Sequence, residues 1–200
     1  MTISLERIRI RDASKGDCGA LAELIDIAGE GLAAYVWAQL AGPGEDPREV
    51  GRQRAARETG SFSYRNSVVA EADGRIAGAL VGYPIAVEPA PIDTATTPAM
   101  FVPLQELENL AAGTWYVNAI ATFPETRGQG VGSKLMRYAE QRAAELGLRG
   151  LSLIVSDANQ GARALYERLG YSEVARRPMV REQWETAGQN WVLMMYIPGN

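Results

Sequence analysis

The stretch PETRGQGVGSKLM, Pro124–Met136, places glycines at positions 128, 130 and 132 directly before an amphipathic run. It follows TWYVNAIAT, Thr114–Thr122, whose β-branched and aromatic residues predict a strand. A strand that turns through glycines into a helix leaves several backbone N–H groups at the positive end of the helix dipole. The stretch therefore predicts a phosphate site, to which Arg127 adds a permanent cation.

The spacing of these glycines excludes two common phosphate loops. A dinucleotide fingerprint, G-x-G-x-x-G, would place Gly at position 133 or 135, where the chain has Ser133 and Leu135. A Walker loop needs Ser or Thr directly after its lysine, whereas Lys134 is followed by leucine. A tight strand-to-helix turn that binds no ligand stays open as the alternative reading of the glycines alone.

Hydrophobic periodicity on both sides of this turn predicts a mixed α/β architecture. Asp73-Gly74 between two apolar runs predicts a β-hairpin over Ser67–Tyr83. The order of elements predicts one domain over residues 1–200, of α/β (α+β) class, with a mixed, mostly antiparallel sheet of about seven strands and helices on both faces. The other predicted strands are 3–10, 151–155, 171–180 and 191–197, and the predicted helices are 20–28, 32–40, 48–58, 104–112, 133–146 and 160–169.

Composition narrows the possible chemistry. The 200 residues include no histidine, which excludes a catalytic triad with an imidazole base, a zinc site with histidine ligands and a histidine proton shuttle. A single cysteine, Cys18, is expected to be a small buried apolar residue, and no metal is expected. The net charge of −4 disfavours nucleic acid and suits a small or cationic substrate. With no membrane-spanning run and no signal peptide, the expected location is the cytoplasm.

Two segments together resemble the GNAT superfamily of acyl-CoA-dependent N-acyltransferases. The first is R-x-x-G-x-G at Arg127–Gly132, which is similar to the pyrophosphate loop of that family. The second is LSLIVSDANQGARALYERLGY, Leu151–Tyr171, which is similar to the next strand and helix of the family. The resemblance covers about Trp115–Tyr171, implies a GNAT-like fold, and implies transfer of an acetyl group from acetyl-CoA to a primary amine by direct attack in a ternary complex.

The resemblance also implies roles for individual residues. Tyr166 would protonate the departing CoA thiolate, and Asn159 would hydrogen-bond the pantetheine arm. The strand after Val117 would splay from its neighbour at a bulge and offer backbone N–H groups to the thioester carbonyl; its residues are Asn118, Ala119, Ile120, Ala121 and Thr122. The pyrophosphate would bind at Arg127, Gly128, Gln129, Gly130, Val131, Gly132 and Ser133.

The general base, the acceptor and the oligomeric state stay open at this point. Candidates near the acceptor are Glu30, Glu106, Glu108 and Tyr116, with a water chain as the alternative, and Glu106 and Glu108 are the candidate attractors of a cationic acceptor. Specificity is expected in segments 29–60 and 84–113. Two other functions are open: a non-catalytic acyl-CoA sensor on the same fold, and an interaction protein that forms a homodimer through Ala99–Leu110.

Overall fold

A computed structural model describes residues 8–199. These residues form seven strands and six α-helices. In chain order the elements are β1 Arg9–Asp12, α1 Cys18–Ala28, α2 Leu32–Leu40, α3 Pro47–Ala55, β2 Ser67–Ala72, β3 Arg75–Pro84, α4 Val102–Leu110, β4 Trp115–Thr122, α5 Val131–Glu145, β5 Leu151–Ser156, α6 Gln160–Arg168, β6 Ser172–Pro178 and β7 Asn190–Tyr196.

The strands form one sheet in the order β1-β2-β3-β4-β5-β7-β6. The pairs β1–β2, β2–β3, β5–β7 and β6–β7 are antiparallel, whereas β4 and β5 are parallel. The predicted mixed, mostly antiparallel sheet of about seven strands is therefore confirmed. The first strand was predicted over residues 3–10, of which 3–7 lie outside the described residues; β1 continues to Asp12.

The chain divides into two compact units, and β4 and α5 each contribute residues to both. The first unit contains residues 8–82 and 118–138, and the second unit contains residues 83–117 and 139–199. The interpretation of the whole chain as one functional domain stays a prediction. No helix among residues 8–199 is both long enough and apolar enough to cross a bilayer.

In the first unit, the β2–β3 hairpin has the turn that its sequence predicts. Asp73 and Gly74 both have positive φ, 51° and 74°, and Ala72 pairs with Arg75 across the turn. Helix α1 packs on this hairpin through a buried cluster that includes Leu21, Leu24, Cys18, Val69 and Ala79. Cys18 is a free, buried thiol, as expected.

In the second unit, α4 packs against β5, β6 and β7. The helix was predicted to begin at Leu104 and begins instead at Val102, because Pro103 fits the first turn, where no helical N–H bond is lost. The side chain of Leu107 on this helix is fully buried.

The buried carboxylate of Asp17 stabilises the turn that precedes α1. Both oxygens of Asp17 accept hydrogen bonds from the Arg11 guanidinium, at 2.8 and 3.0 Å, and Ser14 donates its N–H and its hydroxyl at 2.7 and 2.8 Å. Asp17 is 7% exposed, so these bonds are shielded from water. The Arg11 hydrogen bonds lower the pKa of Asp17 to about 2, from an ordinary value of 3.8.

We expect Asp17→Asn to lower the free energy of unfolding at pH 7 by about 2 kcal/mol, the value of a pKa shift of this size. Because the pKa is lowered in the folded state, this stabilisation is complete above about pH 4 and is lost as the pH falls towards 2. Urea denaturation at pH 7 and pH 2.5 measures it. Equal stability of the two proteins at pH 7 would show that the buried ion pair contributes nothing net.

Candidate active site

The glycine-rich loop runs into α5 as the sequence predicts. Gly128 and Gly130 have φ of 72° and 79°, in the left-handed region that favours glycine. Helix α5 begins at Val131 and has 15 residues, and Lys134 N–H donates to Gly130 O at 3.1 Å. The N–H groups of residues 131–133 precede that first helical hydrogen bond, so they lie at the positive end of the helix.

Side-chain hydrogen bonds hold this loop in place, and the sequence analysis did not single out one of their residues, Thr126. The buried Thr126 hydroxyl donates to Ala77 O at 2.6 Å and also lies 2.9 Å from Phe123 O. Gln129 donates its side-chain amide to Glu125 O at 2.8 Å, and the Lys134 ammonium donates to Ile8 O. The only signal for Thr126 in the sequence is a neutral hydroxyl between Glu125 and Arg127, which does not indicate burial.

The direction of the backbone N–H groups differs between the start of β4 and the residue that follows its end. At its start, Trp115 N–H donates to Gly150 O at 2.9 Å, on the side of β5. After its end, Phe123 N–H donates to Ala77 O at 3.1 Å, on the side of β3. Residues of a regular strand that are an even number of positions apart direct their N–H groups to the same side. The opposite directions at positions 115 and 123 therefore require an irregularity between them, as in a β-bulge.

The pairing of β4 with β5 is short compared with the two strands. It joins Trp115–Val117 to Leu151–Leu153, whereas β4 continues to Thr122 and β5 to Ser156. The second half of β4, Asn118–Thr122, approaches β3 closely: a Cβ added at Gly78 would lie 2.6 Å from Ala121 O. Glycine within a strand is a known signal of such an approach, so Gly78 could have been noticed in the sequence.

Asn159 and Tyr166 belong to the second unit, whereas Asn118–Thr122 and the loop at Arg127–Ser133 belong to the first unit. Asn159 is the N-cap of α6, and its side-chain oxygen accepts from Ala162 N–H at 3.1 Å. Tyr166 follows seven residues later, about two helical turns, so the two residues share one face of the helix. The side-chain oxygen of Asn159 is used in the helix cap, so the side-chain NH₂ group is the part that suits a ligand carbonyl.

Tyr166 is buried, with 6% of its surface exposed, and its ring lies 5.9 Å from the ring of Tyr171. Burial raises the pKa of Tyr166 above its ordinary value of 10. Its phenol therefore keeps its proton at neutral pH and can act as a donor.

The structure distinguishes the two acidic residues predicted as acceptor attractors. Glu106 forms an ion pair with Arg177, with 2.6 Å between Oε2 and Nε. Burial raises the pKa of Glu108 to about 7, and a hydrogen bond with Tyr116 partly opposes the shift. Glu30, another candidate base, has a positive φ of 53° in the turn between α1 and α2.

Residues 32–171 match the model of the acetyltransferase (GNAT) family. The chain belongs to the GNAT family. This assignment fits the order of elements, the strand–glycine loop–helix unit and the Asn159 cap described above. The GNAT chain is an acyl-CoA-dependent acetyltransferase.

Individual relatives agree with the family. This GNAT chain is 28% identical over 173 residues to thialysine N-epsilon-acetyltransferase of Bos taurus, covering 84% of this chain and 85% of the relative. An N-acetyltransferase structure from Staphylococcus aureus Mu50 aligns with a TM-score of 0.63 at 16% identity, covering 94% of this chain and 100% of that one. The putative acetyltransferase yncA of Salmonella typhimurium, solved with acetyl-CoA, aligns with a TM-score of 0.59 at 18% identity, covering 96% and 94%.

Two substitutions at Asn159 test its role as the cap of α6. Asn159→Asp keeps an oxygen acceptor for Ala162 N–H, so we expect its stability to stay close to that of the wild type. Asn159→Ala removes the cap and should lower the free energy of unfolding by about 1 kcal/mol. Thermal and urea denaturation of the ligand-free proteins measure both; equal losses would show that the bond to Ala162 contributes nothing.

Proposed function

We propose that this acetyltransferase transfers the acetyl group of acetyl-CoA to a primary amine of a small-molecule or peptide acceptor, by direct attack in a ternary complex. The observation that carries the proposal is the loop in which two left-handed glycines, Gly128 and Gly130, open directly into α5. A cluster of N–H groups at the start of a 15-residue helix suits a pyrophosphate group.

The residues of this loop fit coenzyme A. Gly128 and Gly130 present backbone without a side chain, and the N–H groups of Val131, Gly132 and Ser133 precede the first helical bond. Arg127 is exposed beside the loop and supplies a positive charge. The Thr126 bonds to Ala77 and Phe123 limit the movement of the loop, which lowers the entropy lost when an anion binds.

The donor supplies an activated acyl carbon: the amine nitrogen bonds to it, the C–S bond breaks, and the CoA sulfur takes up a proton. The task of the protein is to stabilise negative charge on the carbonyl oxygen and to move protons. We assign the first task to backbone N–H groups of Asn118–Ile120, which follow the three residues of β4 that pair with β5. We assign Asn159 to the pantetheine arm through its side-chain NH₂ group.

Tyr166 is the proposed general acid. Its raised pKa keeps the proton on the phenol until a thiolate forms beside it. In a site without water the pKa of the CoA thiol rises as well, because the same desolvation disfavours a thiolate. Because desolvation raises the pKa of both the phenol and the thiol, transfer of the proton from Tyr166 depends on the thiolate forming beside the phenol, away from water.

The acceptor is proposed to be a cationic amine, in keeping with the net charge of −4. The relative from Bos taurus is named for the N-epsilon amine of thialysine, which favours an amine at the end of a short flexible chain. The test is the release of free CoA thiol with a panel of thialysine, lysine, polyamines, aminoglycosides and peptide N-termini. Amine-dependent release supports the enzyme, whereas binding of acetyl-CoA without release supports the sensor reading.

We expect acetyl-CoA and CoA to raise the melting temperature of the wild type with micromolar-order affinity. At about 100 times the dissociation constant, a ligand stabilises the folded state by roughly 2.7 kcal/mol. Gly130→Val should abolish this shift, because its branched side chain would stand where the pyrophosphate binds. A thermal-shift titration with each ligand measures the effect.

Gly147→Val is the matched control for Gly130→Val. Gly147 ends α5 with φ of 63° and has open space around it, so valine strains the backbone there by a similar amount, about 1–2 kcal/mol. The control should lose stability and keep the ligand shift. A full ligand shift in Gly130→Val, or none in the wild type, would contradict the assignment of the loop.

Tyr166→Phe should lower turnover by roughly 10²-fold while leaving the acetyl-CoA shift within a few-fold of the wild type. The substitution keeps the buried ring and removes only the hydroxyl. The control is Tyr171→Phe: among residues 8–199 the buried Tyr171 hydroxyl has no hydrogen-bond partner, so its removal should cost little. Equal turnover in Tyr166→Phe and the wild type, measured with the best acceptor of the panel, would make Tyr166 a packing residue.

A further inference from the structure

The carboxylate of Glu108 is partly buried next to the hydroxyl of Tyr116. It lies on α4 next to Leu107, which is fully buried, and its own side chain is half-buried. Its partner is the hydroxyl of Tyr116 on β4. The ring of Tyr116 is in turn packed edge-on against Tyr83, with 5.7 Å between ring centroids, so the partner is held by aromatic packing.

Glu106 and Glu108 are two positions apart on one helix and therefore point to different sides of it. Glu106 has a cation, Arg177, at 2.6 Å. The pKa of Glu108 is set by burial and by Tyr116, both neutral influences. A half-buried carboxylate with these surroundings destabilises the fold when it ionises, and it suits a cationic ligand that would compensate the charge.

The position of Tyr116 connects this pair to the reaction. Tyr116 precedes Asn118 by two residues on β4, a distance of about 7 Å along a strand. Asn118 is the first residue of the stretch assigned above to the thioester carbonyl. Glu108 therefore contacts a side chain of the same strand whose next residues are assigned to the thioester carbonyl that the amine attacks.

We propose that Glu108 is the general base that takes a proton from the acceptor ammonium, and that Tyr116 is a positioning residue that holds the carboxylate. This inference rests on the proposed function. The ammonium N–H bond breaks, its proton passes to a carboxylate oxygen of Glu108, and the nitrogen keeps the electron pair with which it attacks. Over the whole reaction the amine loses two protons: one reaches the CoA sulfur by way of Tyr166, and one leaves Glu108 for solvent.

The charge change near neutral pH belongs to Glu108. Its nearest titratable and charged groups are Tyr116 on β4, Tyr83 on β3, and the paired Glu106 and Arg177. The strands packed against α4 also carry the paired Glu173 and Arg176 on β6 and Tyr196 on β7. Tyrosines ordinarily titrate near pH 10, and arginine keeps its charge throughout. The rate should therefore fall as the pH drops below about 7, where Glu108 takes up its proton.

The first experiment measures CoA thiol release between pH 5.5 and 9 with the best amine of the panel. Glu108→Gln should lower kcat by roughly 10²-fold and lose the acid limb of the wild-type profile. Glu106→Gln should keep that limb, because the charge of Glu106 is paired with Arg177. Tyr116→Phe should move the limb to higher pH, because the hydrogen bond from Tyr116 lowers the pKa of Glu108.

The second experiment needs no substrate. Because the pKa of Glu108 is raised in the folded state, stability is complete below about pH 4.5 and is lost as the pH rises through about 7. The glutamine of Glu108→Gln never ionises, so the melting temperature of this variant should exceed that of the wild type at pH 8 and match it near pH 4.5. Glu106→Gln should show no such gain.

The results distinguish failure of the general-base proposal for Glu108 from failure of the proposed transferase function. If Glu108→Gln gains stability at pH 8 but keeps the kcat and pH profile of the wild type, Glu108 is only a buried carboxylate and the proposal is wrong. If it shows neither the gain nor the loss of rate, the half-buried environment itself is refuted. If the wild type binds acetyl-CoA in the thermal-shift titration and no amine releases thiol, the proposed transferase function fails, and the base proposal fails with it.

Discussion

The parallel hydrogen bonding between β4 and β5 covers three residues of each strand, and the candidate site depends on that limit. A strand that is fully paired on both sides has no N–H group left for a ligand. The paired portion is firmly held, because the buried hydroxyls of Thr114 and Ser152 lie 2.7 Å apart beside it. Between Trp115 and Phe123 the N–H groups change from the side of β5 to the side of β3, and the glycine loop follows the end of the strand. One strand thus combines a rigid start with an irregular end.

The loop that follows β4 contains glycines with left-handed backbone conformations and a threonine whose hydrogen bonds fix the turn. Gly128 and Gly130 adopt a backbone conformation that other residues reach only with strain, which allows the turn into α5. The buried Thr126 hydroxyl fixes the same turn through Ala77 and Phe123. A loop that is fixed before its ligand arrives loses less entropy on binding, and its donors already point in one direction.

Two carboxylates show how similar groups acquire different roles. Asp17 accepts four hydrogen bonds, two of them from a guanidinium, and these bonds outweigh the cost of burial, so they stabilise its charge and the turn before α1. Glu108 has a tyrosine hydroxyl as its partner, so burial works against its charge. The first arrangement stabilises the fold. At Glu108, a cationic acceptor would compensate the negative charge of the carboxylate. Carboxylates with a raised pKa are frequent at functional sites.

The sequence by itself determined the elements whose signals are local. Asp73-Gly74 specified a hairpin turn, and Gly128 and Gly130 specified the turn into α5, because each depends on backbone preferences within a few residues. Only the tertiary structure decided that the N–H groups change direction between Trp115 and Phe123, that Thr126 is anchored, and that Glu106 and Glu108 differ. The Glu106–Arg177 and Thr126–Ala77 bonds join residues 71 and 49 positions apart. Burial and pairing over such separations depend on how the elements pack, which no local pattern encodes.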